Sequence, residues 1–307
     1  MSLYHIEELH PNELEERLLE QPVLVLPIGT IEWHSHHLPL GLDTILAEEI
    51  CTRIADRLSA VLAPSGYWAV GGVPYPYTLD LPQEFIERLY ETAMAQFANM
   101  GFRVILAFTG HFGLAQTLSL KRAACKAMQA CTNTQARTDM QDSPVAILPL
   151  TEYDLTTDLG YDGDHAATGE TSLMMAIRPD LVRLAAVAAE APLEGIIGED
   201  PRHRASAAYG KQLLEAIVER ATQMAQRFGA SGFSAPDGLA QQPAYLAALQ
   251  ASVDVLEEIQ RQRQALSKAA APPIMTPLYR KYCQALAAGE YEQAMAFATK
   301  KLQDPTQ

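Results

Sequence analysis

Three continuous apolar runs limit what this chain can fold into. They are "PVLVLPIG" at 22–29, "RVILAFTG" at 103–110 and "PVAILPL" at 144–150. None of them alternates polar with apolar residues, so each reads as a strand buried on both faces. Segments with helical spacing separate them. Leu46, Ile50, Ile54 and Leu58 recur every four residues within 44–61. Residues 84–100 carry Ile86, Leu89, Tyr90, Ala93, Met94, Phe97 and Met100, and Gly101 supplies the stop. Helices are also expected over 11–20, 115–131, 169–178 and 205–228, and 69–82 reads as a strand followed by a loop. Strands that alternate with helices predict an α/β fold with a mostly parallel sheet covered on both faces.

The pattern changes after residue 228. "GASGFSAPDGLAQQ" at 229–242 has the Gly, Ser, Pro and Gln content of a linker. Residues 243–269 then read as one long helix, and 276–302 as a helical hairpin turning at Gly289. The expected organisation is an α/β domain over 1–228, the linker, and a helical C-terminal extension over 243–307.

Composition excludes several function classes. The net charge of −14 over 307 residues argues against a nucleic-acid partner, which needs a basic surface. No run of 18 apolar residues exists, so no membrane span is expected. The N-terminal segment is acidic and lacks the apolar centre of a signal peptide. Cys51, Cys125, Cys131 and Cys283 form no CxxC pair and read as reduced thiols, in keeping with a cytoplasmic protein.

Parallel sheets place their sites beyond the carboxyl ends of the strands. Directly after the first apolar run comes "TIEWHSHHLPLGLD" at 30–43. Glu32 and His34 are two apart, so in extended chain they point the same way. Asp43 falls at the start of the next helix, a favourable place for a carboxylate. His111 follows the second run and reaches the same sheet edge. Imidazole with carboxylate suits Zn²⁺ or Mn²⁺ rather than Ca²⁺. A second cluster is "DGDHAATGETS" at 162–172. His165 lies in a loop, as a proton shuttle would. Glu170 opens a helix with Thr168 as its N-cap, and reads as a ligand, a water-orienting group or a simple helix-start carboxylate. Asp162 and Asp164 read as turn residues, and His5, His10 and His203 as surface residues.

These motifs resemble the creatininase (creatinine amidohydrolase) family. "PIGTIEWHSHHLPLGLD" is similar to its proline-x-Gly-x-x-Glu-x-His-x-x-His-Leu-Pro-x-x-x-Asp pattern, "TGHFGLAQ" to its Gly-His-Gly-Gly-Asn element, and "HAATGETS" to its His-Ala-x-x-x-Glu-Thr-Ser. "GEDPRHRASAAYG" at 198–210 resembles a further family stretch. The resemblance implies a three-layer α/β/α sandwich and a homo-oligomer, with a hexamer suggested. It also implies cleavage of a C–N amide bond in a small molecule by a metal-bound hydroxide. The ions would be two divalent cations, Zn and/or Mn, with Fe as an alternative. On the family pattern Glu32, His34, Asp43 and His111 fall on metal-ligand positions, with Asp43 bridging. His165 and Glu170 fall on the catalytic histidine and glutamate, and Glu170 is also a candidate ligand. His37 occupies a family histidine position and reads as structural, and His36 is given no role.

The chain departs from creatininase itself at several points. Phe112-Gly113 stand where that enzyme has Tyr-Glu, and its Glu binds metal. Only Trp33 and Trp68 are present, neither near 165, where creatininase uses tryptophans to hold its substrate. The segment 74–85 lacks the family's usual His-x-x-Phe-Pro-Gly-Thr. A cyclic amide or formamide other than creatinine is therefore expected. Two alternatives stay open: a degenerate member acting as a binding protein, and a lyase or isomerase on a sugar-like substrate.

Overall fold

The computed structural model describes residues 3–133, 144–187, 190, 192–229, 239–265 and 273–304. In the first half of the chain, the elements are β1 (Tyr4–His5), α1 (Pro11–Glu20), β2 (Val23–Ile28), α2 (Leu42–Leu58), β3 (Val61–Leu62), α3 (Gln83–Met100), β4 (Val104–Thr109) and α4 (Leu114–Asn133). The second half adds β5 (Ala146–Thr151), α5 (Glu152–Thr156), α6 (Thr168–Ile177), α7 (Pro201–Arg204), α8 (Ala207–Arg227), α9 (Gln242–Ala265), α10 (Pro277–Ala288) and α11 (Tyr291–Gln303).

The strands form one sheet in the order β1-β3-β2-β4-β5, and every pairing is parallel. The three long apolar runs are its centre: β2, β4 and β5 lie side by side, with Ile28, Thr109 and Thr151 at matching ends. Their residues are buried almost without exception, as runs with no polar face require. Helices cover both faces. Helix α2 lies along β2 and packs with α6 and α8, while α3 and α4 pack together and α4 backs β5.

Two local expectations change. Residues 69–82 hold no strand, because Gly71 and Gly72 take φ values of +81° and +129° and turn the chain away from the sheet. The two-residue strands β1 and β3 extend the sheet instead, and strands so short leave no periodic signature. Most of the expected linker, 230–238, and residues 266–269 of the expected long helix lie outside the described residues. The hairpin turns at Gly289, with φ +84°. Helix α9 runs against α4, α11 against α9, and α10 against α5 and α8. One continuous set of buried apolar side chains extends from the sheet to Tyr245, Tyr279, Tyr282 and Ala298.

Candidate metal centre

Glycine ends both central strands, and the reason is spatial. A Cβ on Gly29 would stand 2.3 Å from the Thr44 amide nitrogen, and one on Gly110 would stand 2.2 Å from the Asp43 carbonyl oxygen. Only glycine lets the first turn of α2 settle between the ends of β2 and β4. Asp43 is carried there on that turn and is 1% exposed. Glu32 and His34 arrive from the loop after β2, and His111 from the residue pair after β4.

The side chains converge on Asp43. His34 Nε2 is 3.0 Å from Asp43 Oδ1 and 3.6 Å from Glu170 Oε2. His111 Nδ1 is 2.8 Å from Glu32 Oε2 and 3.1 Å from Asp43 Oδ2. Glu32, Asp43 and His111 thus form one possible ligand triad and His34, Asp43 and Glu170 another, all buried and sharing Asp43. His165 Nδ1 lies 3.6 Å from Glu32 Oε1, and its ring stacks on His34 at 4.3 Å. Glu32, His34 and His165 make a third grouping.

Each imidazole is oriented from outside. A backbone carbonyl accepts from the outer nitrogen in every case: Glu32 O from His34 Nδ1 at 3.1 Å, Val70 O from His111 Nε2 at 3.3 Å, and Trp33 O from His165 Nε2 at 2.9 Å. The inner nitrogens then present lone pairs toward the carboxylates, the arrangement that prepares histidines for metal. Carboxylate orientation is also enforced. The Val73 amide donates to Glu32 Oε1 at 2.6 Å, and the Ala166 amide to Glu170 Oε2 at 2.6 Å. Ala166 makes that bond from a strained, left-handed φ of +50°.

Lone pairs facing lone pairs at buried positions need a positive charge between them. Glu32 Oε2, His34 Nε2 and both Asp43 oxygens are buried without a hydrogen-bond partner. Either a metal ion or protons must supply that charge. Burial opposes charge on His111, but the Asp43 and Glu32 carboxylates facing it outweigh that and raise its pKa to about 10. Burial, with Asp164 and Asp43 close by, pushes the Glu170 carboxyl well above its usual range. Burial and the neighbouring His34 push His165 down to about 4. The mixed imidazole and carboxylate donor set fits Zn²⁺ or Mn²⁺.

The other sequence expectations divide. His37 is buried and meets Thr171 Oγ1 at 3.0 Å through Nε2, away from the triads. His36 is exposed beside Glu194, and His10 and His203 are exposed as well. Thr168 is not the cap of α6; it is the first helical residue, and its hydroxyl turns to the Glu199 and Asp200 carbonyls. Asp164 does the capping and is more than a turn residue: the Gly169 and Glu170 amides donate to its carboxylate at 2.6 and 3.1 Å. Asp162 is held by the Arg280 guanidinium of α10.

Sequence reasoning passed over Glu152. It follows β5 as Glu32 follows β2, is wholly buried, accepts from Tyr161 OH at 2.8 Å, and has a pKa raised to about 8 by burial. A carboxylate straight after an apolar strand was the available signal. A cavity of about 590 Å³ opens on the cluster, with Glu32, His111, His165 and Glu170 in its lining.

A family model described as "Creatininase: Creatinine amidohydrolase" matches residues 7–225. The chain belongs to the creatininase family. Among curated proteins it is similar to the creatinine amidohydrolase of Pseudomonas putida, 28% identical over 181 residues, covering 53% of this chain and 66% of that protein. It is also similar to the 3-dehydro-scyllo-inosose hydrolase of Thermotoga maritima, 29% identical over 103 residues, 32% of this chain and 33% of that one. The chain therefore spans less than two thirds of the length of either relative. A crystal structure of creatinine amidohydrolase matches with a TM-score of 0.63 at 24% identity, over 75% of this chain and 99% of that one. A manganese form of creatininase matches with a TM-score of 0.62 at 24% identity, over 74% and 100%. A Zn-Zn form of a creatininase point variant matches with a TM-score of 0.61 at 25% identity, over 75% and 100%. These structures share the creatininase fold, and the family match stops before α9.

Proposed function

We infer that this chain is a two-metal amidohydrolase that cuts a C–N bond in a small amide. One observation carries the reading: two buried donor triads share Asp43, and both direct unpartnered atoms at a common interior. Glu32, Asp43 and His111 would hold one cation, and His34, Asp43 and Glu170 the other. Zinc or manganese bound there would polarise a carbonyl and lower the pKa of water toward ~7. The relatives described as Mn and Zn-Zn forms support that choice of metals.

The chain's own residues do the rest. The Glu32 and Glu170 carboxylates are pre-aimed by backbone amides, so little reorganisation is needed on binding. His165 works through Nδ1, since Nε2–H is committed to the Trp33 carbonyl. As a neutral imidazole it accepts a proton from water and returns it to the leaving nitrogen. Glu170 serves this reading as a ligand, in place of the glutamate that creatininase itself has where this chain has Gly113.

A second reading has one observation in its favour, the likeness to an inosose hydrolase: hydrolytic opening of a sugar-like ring. We read the protein as a cytoplasmic homo-oligomer with no nucleic-acid partner; among the described residues no helix is long and apolar enough to cross a membrane. The test is a screen of metal-loaded protein against lactams, formamides, lactones and cyclic ketones, with elemental analysis alongside. Two metal equivalents per chain and release of amine support the amidohydrolase. Ring opening without a nitrogen leaving group selects the second reading, and absence of metal removes both.

A further inference from the structure

The cavity above the metal cluster is not built by the family domain alone. Pro273, Ile274 and Met275 line it, and these residues lie far beyond 225, where the family match ends. They immediately precede α10, whose first turn is fixed. Thr276 is buried and caps the helix by accepting from the Tyr279 amide at 3.4 Å, and Pro277 opens it. Tyr279 is itself buried and bonded to Ser252 of α9 at 2.9 Å.

Helix α10 is also tied to the loop that leads to His165. Arg280 grips Asp162, with Nε 2.9 Å from each carboxylate oxygen. Gln284 donates to Thr157 Oγ1 at 3.2 Å. Asp162 lines the same cavity as Ile274 and Met275. The segment 273–275 is thus held at a fixed place relative to the reacting groups.

The chemistry of the lining is lopsided. Carboxylates, imidazoles and Arg263 of α9 supply the polar part, whereas Phe112, Ile197, Ile274 and Met275 supply apolar surface. Ile197, 62% exposed, adds accessible apolar surface to that lining. A cavity of about 590 Å³ suits a ligand well above the size of a single small ring.

We propose that residues Pro273–Met275 of the C-terminal extension form the specificity wall of the substrate pocket, and that the substrate is an amide bearing an apolar group that packs against them. This rests on the two-metal reading above and adds the substrate class. It also separates the two readings, since the apolar surface of Ile274 and Met275 favours an apolar group over a polyhydroxylated ring.

The test uses the full chain loaded with Zn²⁺ or Mn²⁺ and a series of straight-chain alkyl hydroxamates, from acetohydroxamate to octanohydroxamate, with binding measured by calorimetry. The headgroup is a metal chelator and the tail samples the wall. Each added methylene is expected to tighten binding about fourfold until the wall is covered, the factor for burying one CH₂. The double variant Ile274→Ala/Met275→Ala should flatten that slope while leaving acetohydroxamate affinity unchanged. Both side chains are only partly buried, so folding should survive. As a second arm, Met275→Trp should shorten the longest tail accepted. Acetohydroxamate binding with no dependence on tail length, or a slope unmoved by all of these variants, overturns the wall alone. No bound metal and no binding of any hydroxamate overturns the two-metal reading and this proposal with it.

Discussion

Among the described residues, the clusters around Asp43 and around Lys121 are both buried and charged, and they differ in one respect. At the strand ends, Glu32, His34, Asp43, His111 and Glu170 are packed together with four donor or acceptor atoms left unpartnered. Behind them, Lys121 of α4 meets Asp154 of α5 at 2.8 Å, both buried. There Asp154 Oδ1 accepts from Lys121, and Oδ2 accepts from the Thr151 amide and hydroxyl at 3.0 Å each. The second cluster is complete: a cation, an anion and a helix cap in mutual balance. The first leaves acceptors facing one another that a cation would balance. Burial does not separate the two clusters; the unpaired atoms do.

The contrast can be broken most severely at Asp43. Asp43→Ala should empty both metal positions, taking elemental analysis from about two equivalents to near none. Hydrolysis should fall on the order of 10³-fold or more, since several kcal/mol of metal assistance disappear together. If metal content survives, the shared-ligand reading fails. His165→Asn should cost about 10²- to 10⁴-fold in kcat and leave the metal content intact, because it removes proton transfer and no triad member. Loss of metal in that variant would make His165 a ligand, as the third grouping permits.

The complete cluster should respond in stability instead. Lys121→Met strands a buried carboxylate and should cost about 3–5 kcal/mol by chemical denaturation. Adding Asp154→Asn removes the stranded charge while keeping an acceptor for the Thr151 cap, and should recover much of the loss. Metal stoichiometry should be unchanged in both. Chelation gives a smaller effect: at a free metal concentration of 100 Kd, its removal should lower stability by about 2.7 kcal/mol, read as a drop in Tm. Smallest is Arg280→Ala. Its pair with Asp162 is partly exposed, so at most about 1 kcal/mol should go.

Much of the fold was legible because burial on both faces leaves a plain signature. The runs at 22–29, 103–110 and 144–150 had no polar alternation and became β2, β4 and β5. The gathering of the candidate site residues was legible for a related reason: polar residues placed straight after such runs have one sheet edge to go to. Glu152 obeyed the same rule and was passed over, because a lone glutamate without a nearby histidine carries no metal-like pattern. The segment 69–82 misled because its apolar residues suggested a strand, while Gly71 and Gly72 decided the path.

The sequence by itself determined the parallel sheet, the edge on which chemistry gathers, and the residue types gathered there. It could do so because periodicity and strand-end position are local properties. Only the tertiary structure decided which nitrogen of each histidine faces inward, since backbone carbonyls from Glu32, Trp33 and Val70 make that choice. It alone showed Asp164 capping α6, and residues 273–275 lining a cavity whose candidate metal ligands lie more than a hundred positions earlier in the chain. Contacts between segments so far apart depend on packing, and packing has no signature in the spacing of residues along one strand or helix.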